Sequence, residues 1–197
     1  MSTAVARNHL GPTDAGRWLT RDEFATAQFQ EPYIYERVMG RLLVISPAEP
    51  EHRFVSRPFR RQLSGYWDRH PDLVDDVDVE GWVATSEDND RLPDICVYLA
   101  GSSSHEVVPN RVPDLVFEFV SGNRSDQERD YVQKRREYHQ IGVREYVIVD
   151  RLKSEILVLR WQPSDYDTAI LTIDEAYTTH LLPGLEIRVA EAFASKD

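Results

Sequence analysis

Two short runs, Pro93 to Leu99 (PDICVYL) and Asp114 to Val120 (DLVFEFV), are dense in β-branched and aromatic residues, as centrally buried strands are. Each nevertheless holds a carboxylate where a core side chain belongs: Asp94 heads the first, and Glu118 sits inside the second between Phe117 and Phe119. Burying an ionised carboxylate is costly unless a cation, a metal or specific hydrogen bonds meet it. Any fold of this chain must therefore bring such a partner to Glu118.

The remaining pattern surrounds these strands with helices. Thr20-Arg21-Asp22-Glu23 has the form of a capping box that opens a short helix. Tyr33 to Val38 and Arg41 to Ile45 are extended runs joined at Met39-Gly40, as in a hairpin. Between Pro50 and His70, Phe54, Val55, Phe59, Leu63 and Tyr66 recur at helical spacing, and Pro58 is expected to kink this helix or mark its first turn. Val77 to Thr85 reads as one exposed strand, Ser125 to Gln140 as a helix stopped by Gly142, and Arg144 to Val149 as a buried strand. Glu155 to Trp161, Thr168 to Ile173 and Tyr177 to Leu182 continue the sheet in antiparallel fashion, and Ala190 to Ser195 is a short helix. The expected fold class is mixed α/β (α+β) around one sheet. Residues 1–16 are expected to form a flexible tail, and residues 17–197 a single domain.

Composition narrows the function. At 197 residues the chain can bury a core without disulfides or a structural metal, and its only cysteine, Cys96, excludes an intrachain disulfide or a finger-type zinc site. No apolar run approaches membrane-spanning length, and a cytoplasmic location is expected. Phosphate-loop, dinucleotide, nucleophile-elbow and HExxH motifs are all missing. The 23 Lys and Arg against 34 Asp and Glu give a net charge of -11, which opposes nucleic acid at long range. The excess is local, because Asp72 to Asp90 contains no basic residue. Two basic clusters, Arg53 to Arg61 and Arg124 to Arg136, stand apart from it, either as solvated helix faces or as phosphate contacts.

On the helix after Glu118, Lys134 shares a face with Tyr131 and Tyr138 and should point towards the sheet. Two carboxylates and a lysine make either a buried ion pair or a divalent-metal hydrolase site, and spacing alone leaves both open.

Four pieces in order, Tyr35 to His52 (YERVMGRLLVISPAEPEH), Leu92 to Leu99 (LPDICVYL), Val112 to Ser121 (VPDLVFEFVS) and Arg129 to Asp150, resemble the Uma-type endonuclease family. That family is a branch of the restriction-endonuclease-like PD-(D/E)XK superfamily. The resemblance implies an α/β/α core with a central mixed sheet and an N-terminal hairpin. It assigns Asp94 to the metal-binding Pro-Asp, Glu118 to the second acid, Lys134 to a lysine displaced onto the following helix (Val120 holds its usual place), and Glu36 to a further acid. His52 and Asp130 are implied as auxiliary residues. The chain departs from the family where a Ser-Pro-Ser-Thr segment usually follows the acid and Ser121-Gly122-Asn123-Arg124-Ser125 stands instead.

The expectation is Mg2+- or Mn2+-dependent phosphodiester hydrolysis. Asp94, Glu118 and Glu36 would hold the metal, and Arg53, Arg57, Arg124 and Arg135 would contact phosphates. The partners expected are nucleic acid, with DNA foremost, and a second copy of the chain. A catalytically inactive binding or assembly module and a hydrolase of a small phosphorylated substrate are the alternatives.

Overall fold

The computed structural model describes residues 9–47, 50–79, 81–101, 111–120, 122 and 124–194, apart from the side chains of 124 and 125. In chain order, β1 (His9–Leu10) precedes α1 (Arg21–Thr26), β2 (Gln28–Phe29), β3 (Ile34–Val38) and β4 (Arg41–Ile45). Next come α2 (Pro50–Arg69), β5 (Val74–Asp78), β6 (Val83–Ser86), β7 (Asn89–Arg91), β8 (Ile95–Leu99) and β9 (Leu115–Phe119). The chain then runs through α3 (Arg124–Glu128), a π-helical turn (Arg129–Lys134) and α4 (Arg135–Ile141). It ends with β10 (Glu145–Asp150), β11 (Glu155–Arg160), β12 (Asp167–Leu171), β13 (Ala176–Tyr177), β14 (Ile187–Arg188) and α5 (Val189–Phe193).

The central sheet has six strands in the order β12-β11-β10-β9-β8-β5, with β9 and β10 parallel and the other pairs antiparallel. Period-two alternation sends Leu115, Phe117 and Phe119 to one face, where they pack with Phe59 and Leu63 of α2 and Val189 of α5. Val116 and Val120 take the other face, against Tyr138 and Ile141 of α4. Both faces of β9 are thus covered by helix, which is why its sequence is a nearly unbroken apolar run. This is the expected mixed α/β core, with helices on both sides of a mixed sheet.

A second sheet of four strands, β4-β3-β7-β6, stands beside the first. Its β3–β4 hairpin turns at Met39 (φ 51°) and Gly40 (φ 72°), two positive-φ residues whose twist matches that of the flanking strands. The capping box opens α1: Thr20 Oγ1 accepts from the Glu23 N–H, and Glu23 Oε2 accepts from the Thr20 N–H.

Several expectations need correction. Residues 9–16, assigned to the tail, are part of the fold: β1 pairs with β2, and Leu10 is buried with Leu19, Phe24, Tyr35 and Leu42. Residues 1–8 lie outside the described residues. The single strand expected at Val77 to Thr85 is two strands in different sheets. The chain leaves the central sheet after Asp78 because Trp82 packs on Phe24 and Phe29 and donates to the Tyr35 carbonyl at 2.9 Å. Pro58 does not mark the start of α2, which begins eight residues earlier. The segment at Tyr177 does not extend the central sheet, because among the described residues β13 pairs with β14 in a separate two-stranded sheet.

Candidate active site

The strand register first brings the acids together. Ile95 pairs with Phe117 across β8 and β9, and one step further that register sets Asp94 against Glu118. In the second sheet Arg37 pairs with Asp90 across β3 and β7, so the next positions, Glu36 and Arg91, also oppose each other. Alternation then sorts these two ion pairs to opposite faces. Arg37 bonds Asp90 at 2.7 Å on one face, and Arg91 bonds Glu36 at 2.9 Å on the other, which looks towards Asp94 and Glu118.

The helical side closes the site. The wide π turn places both Asp130 and Lys134 inward, 3% and 2% exposed, and the Asp130 carbonyl accepts a hydrogen bond from Tyr146 of β10 at 2.9 Å. Lys134 Nζ reaches Glu118 Oε1 at 2.8 Å, Glu36 Oε1 at 3.2 Å and Asp130 Oδ1 at 3.6 Å. From α2, His52 Nε2 donates to Asp94 Oδ2 at 3.1 Å, and its ring meets Phe119 edge-on. Asp94 Oδ2 also accepts from the Phe119 N–H at 2.8 Å, tying the Pro-Asp segment to the end of β9.

These residues line a cavity of about 140 Å³ with Ile34, Leu92, Asp126 and Arg129 among its other walls. Five carboxylates line it, Glu36, Asp94, Glu118, Asp126 and Asp130, against the cations Lys134 and Arg129. Burial pushes the Glu118 carboxyl up to about 8, with Lys134 opposing the shift and Asp130 and Asp94 adding to it. Burial likewise raises Asp130, to about 6, against the pull of Lys134 and Arg129. Glu36 behaves oppositely: burial would raise it, but Lys134 and Arg91 outweigh that and hold it down at about 2. The three acids around Lys134 raise its ammonium despite burial, so it stays charged.

Of the residues named from sequence, Glu36, His52, Asp94, Glu118, Asp130 and Lys134 all meet at this cavity. Arg53, Arg57 and Arg135 do not line it. Arg53 and Arg57 are exposed on the first turns of α2 next to His52, and Arg135 is engaged by Asp165 at 2.9 Å. The side chain of Arg124 lies outside the described residues, as do Ser121 and Asn123 of the altered segment. Sequence reading missed Arg91 and Glu137, and named Arg129 only as part of a basic cluster. Arg91 lies three residues before Asp94 in a stretch rich in charge, and nothing local marks it as buried.

The donor set fits a hard divalent cation. Carboxylates outnumber cations, and among the described residues Asp94 and Glu118 each take their hydrogen bonds on one oxygen, Oδ2 and Oε1 respectively. Asp130 Oδ1 is buried without a hydrogen-bond partner. Among the described residues no three His, Cys, Asp or Glu side chains already stand at metal-holding spacing. The Lys134 ammonium, within 3.6 Å of three carboxylates, is the cation present at their centre.

No curated protein matches the chain. A solved structure described as "a putative nuclease belonging to DUF820 from Anabaena variabilis" superposes with a TM-score of 0.70 at 16% identity, covering 89% of this chain and 97% of that one. At such identity the likeness establishes the fold. No helix among the described residues is long and apolar enough to cross a membrane. Residues 21–190, which span the hairpin, both acids, the π turn and the sheet, match the family Uma2, described as "Putative restriction endonuclease", and the chain belongs to that family.

Proposed function

We propose that this protein is a divalent-metal-dependent endonuclease that hydrolyses phosphodiester bonds of nucleic acid, with DNA as the substrate. The observation that carries this is the meeting of Asp94, Glu118 and Lys134 at one cavity, three residues from three separate elements, in a chain of this family.

Asp94 and Glu118 would hold Mg2+ or Mn2+, whose preference for oxygen ligands suits two carboxylates that each keep one oxygen outside hydrogen bonds. When bound, such an ion polarises a phosphoryl oxygen and lowers the pKa of a coordinated water. The chain supplies the rest. Lys134 keeps its positive charge beside the acids and is the group placed to stabilise charge developing on phosphorus. His52 and the Phe119 N–H both bond to Oδ2 of Asp94, which fixes the carboxylate plane and leaves Oδ1 to the cavity. Arg53 and Arg57, exposed beside His52, suit contacts to the phosphate backbone, which position a nucleic acid without reading its sequence.

The test is nicking of supercoiled plasmid and cleavage of single-stranded substrates in Mg2+ and in Mn2+, with Lys134→Ala and Asp94→Asn purified in parallel. Cleavage by the wild type that both variants lose supports the reading. Cleavage that survives in both, or none in any protein, overturns it. Activity confined to a small phosphodiester favours the small-substrate alternative, which the charge of -11 does not oppose.

A further inference from the structure

Glu36 and Arg91 lie between the second sheet and the cavity, and their hydrogen bonds distinguish them from the other acids. Arg91 is fully buried, and its guanidinium is engaged on two sides. Nε and Nη2 donate to the two oxygens of Glu137 on α4 at 2.8 and 2.5 Å, a bidentate pair, while Nη1 donates to Glu36 Oε2 at 2.9 Å. Thr85 Oγ1 donates to Glu137 Oε2 at 2.7 Å, so the far end of the chain of contacts is also fixed. On the near end, Glu36 Oε1 accepts from the Leu92 N–H at 3.2 Å and faces Lys134 Nζ at the same distance. Both oxygens of Glu36 are therefore engaged, whereas Asp94 and Glu118 each have one oxygen outside these bonds.

We infer that Arg91 is a positioning residue: clamped by Glu137, it commits Glu36 to anchoring Lys134 and keeps that carboxylate out of the metal's ligand set. The site then divides its acids by task. Asp94 and Glu118 face the metal, and Glu36 serves the lysine, because a guanidinium on Oε2 and an N–H and an ammonium on Oε1 already neutralise that carboxylate and occupy most of its lone pairs, whereas Asp94 and Glu118 each present a whole oxygen. This rests on the metal-dependent reading above and refines it, since the family resemblance groups Glu36 with the metal-binding acids.

The test is calorimetric titration of Mn2+ into the metal-free full chain, with folding of each variant checked by circular dichroism. Asp94→Asn reports on the metal site itself. If wild type binds no Mn2+, or Asp94→Asn binds it unchanged, the metal-dependent reading fails and this inference fails with it. If that control behaves, Glu36→Gln decides. The expected result is an affinity within about threefold of wild type, whereas loss of a ligand would cost at least about tenfold, the lower end of losses seen even for groups one step removed from a metal. A loss of that size overturns the inference.

Arg91→Gln gives the converse readout. Releasing Glu36 is expected to raise Mn2+ affinity severalfold while turnover falls, Arg91→Lys should return affinity towards wild type, and the gain should vanish in Arg91→Gln/Glu36→Gln. A merely structural role would lower both quantities together. A gain that persists in the double variant reflects lost positive charge alone and overturns the inference. Should Arg91→Gln fail to fold, the isosteric Glu36→Gln still decides the outcome.

Discussion

Lys134 Nζ lies 2.8 Å from Glu118 Oε1, with the two side chains 3% and 4% exposed, and this contact makes a carboxylate tolerable inside β9. Removing the lysine leaves Glu118, Glu36 and Asp130 without their shared cation. Lys134→Met is therefore expected to destabilise the fold by about 3–5 kcal/mol, the usual consequence of breaking a buried pair from one side. Adding Glu118→Gln should recover part of that loss. Urea unfolding of the single and double variants checks both expectations, and a near-neutral Lys134→Met would show that the pair is not a structural element.

The raised Glu118 carboxyl gives the metal-free protein a specific pH dependence. Between its ordinary value of 4.5 and its buried value of about 8, the folded state holds a proton that the unfolded state has released. Stability from this group is thus complete below the lower value and is lost as pH rises through the upper one. Asp130, raised from 3.8 to about 6, adds the same sign over a lower window. Urea midpoints of the metal-free protein should fall between pH 5 and pH 8, and Glu118→Gln should flatten the upper part of that slope.

Glu36 contributes with the opposite sign. Its carboxyl is held at about 2 against an ordinary 4.5, so the stability it supplies is present above the higher value and lost as pH falls towards the lower. Glu36→Gln should weaken the dependence of stability on pH between about 4.5 and 2. An unchanged acid-unfolding profile would show that Lys134 and Arg91 do not hold this group ionised.

Arg53 and Arg57 are exposed cations on the first turns of α2, the helix that brings His52 to the cavity. If each meets one phosphate, replacing both with alanine lowers the slope of log affinity against log salt by about 0.9 per contact for duplex DNA. Fluorescence anisotropy with a labelled duplex, read across a salt series with Ca2+ in place of the catalytic metal, measures that slope. An unchanged slope removes these two residues from the DNA path.

Gly142 closes α4 at φ 87°, and a Cβ added there would meet no atom within 4 Å. Gly142→Ala is thus a pure backbone test. It should cost about 1–2 kcal/mol for forcing a side chain into the left-handed region, measured by denaturant unfolding, with no change in Mn2+ affinity.

Much of this arrangement is legible before folding, for a physical reason. A carboxylate inside an apolar strand is so costly that its surroundings announce it, which marks Asp94 and Glu118, and helical spacing with Tyr131 and Tyr138 turns Lys134 inward. Glycine and proline punctuation likewise places the hairpin, and helical periodicity places α2, because these signals act over a few residues.

The π turn was not legible. It widens one stretch of an otherwise regular helix, a departure held by contacts such as Tyr146 with the Asp130 carbonyl rather than by local propensity, while the shared face of Asp130 and Lys134 is what their i,i+4 spacing gives on any helix. The burial of Leu10 was hidden for a similar reason: a short Gly- and Pro-containing segment looks free until Leu10 finds Leu19, Phe24 and Leu42. Arg91 is the clearest case. Its sequence neighbours Asn89, Asp90 and Leu92 suggest an ordinary surface turn, and only the meeting of β7 with β3 and α4 makes it a buried clamp between Glu36 and Glu137. The chain by itself determined which residues could not be buried alone. Tertiary structure decided which partner each received, because that choice depends on strand register and helix placement between segments as far apart as Glu36, Arg91 and Glu137.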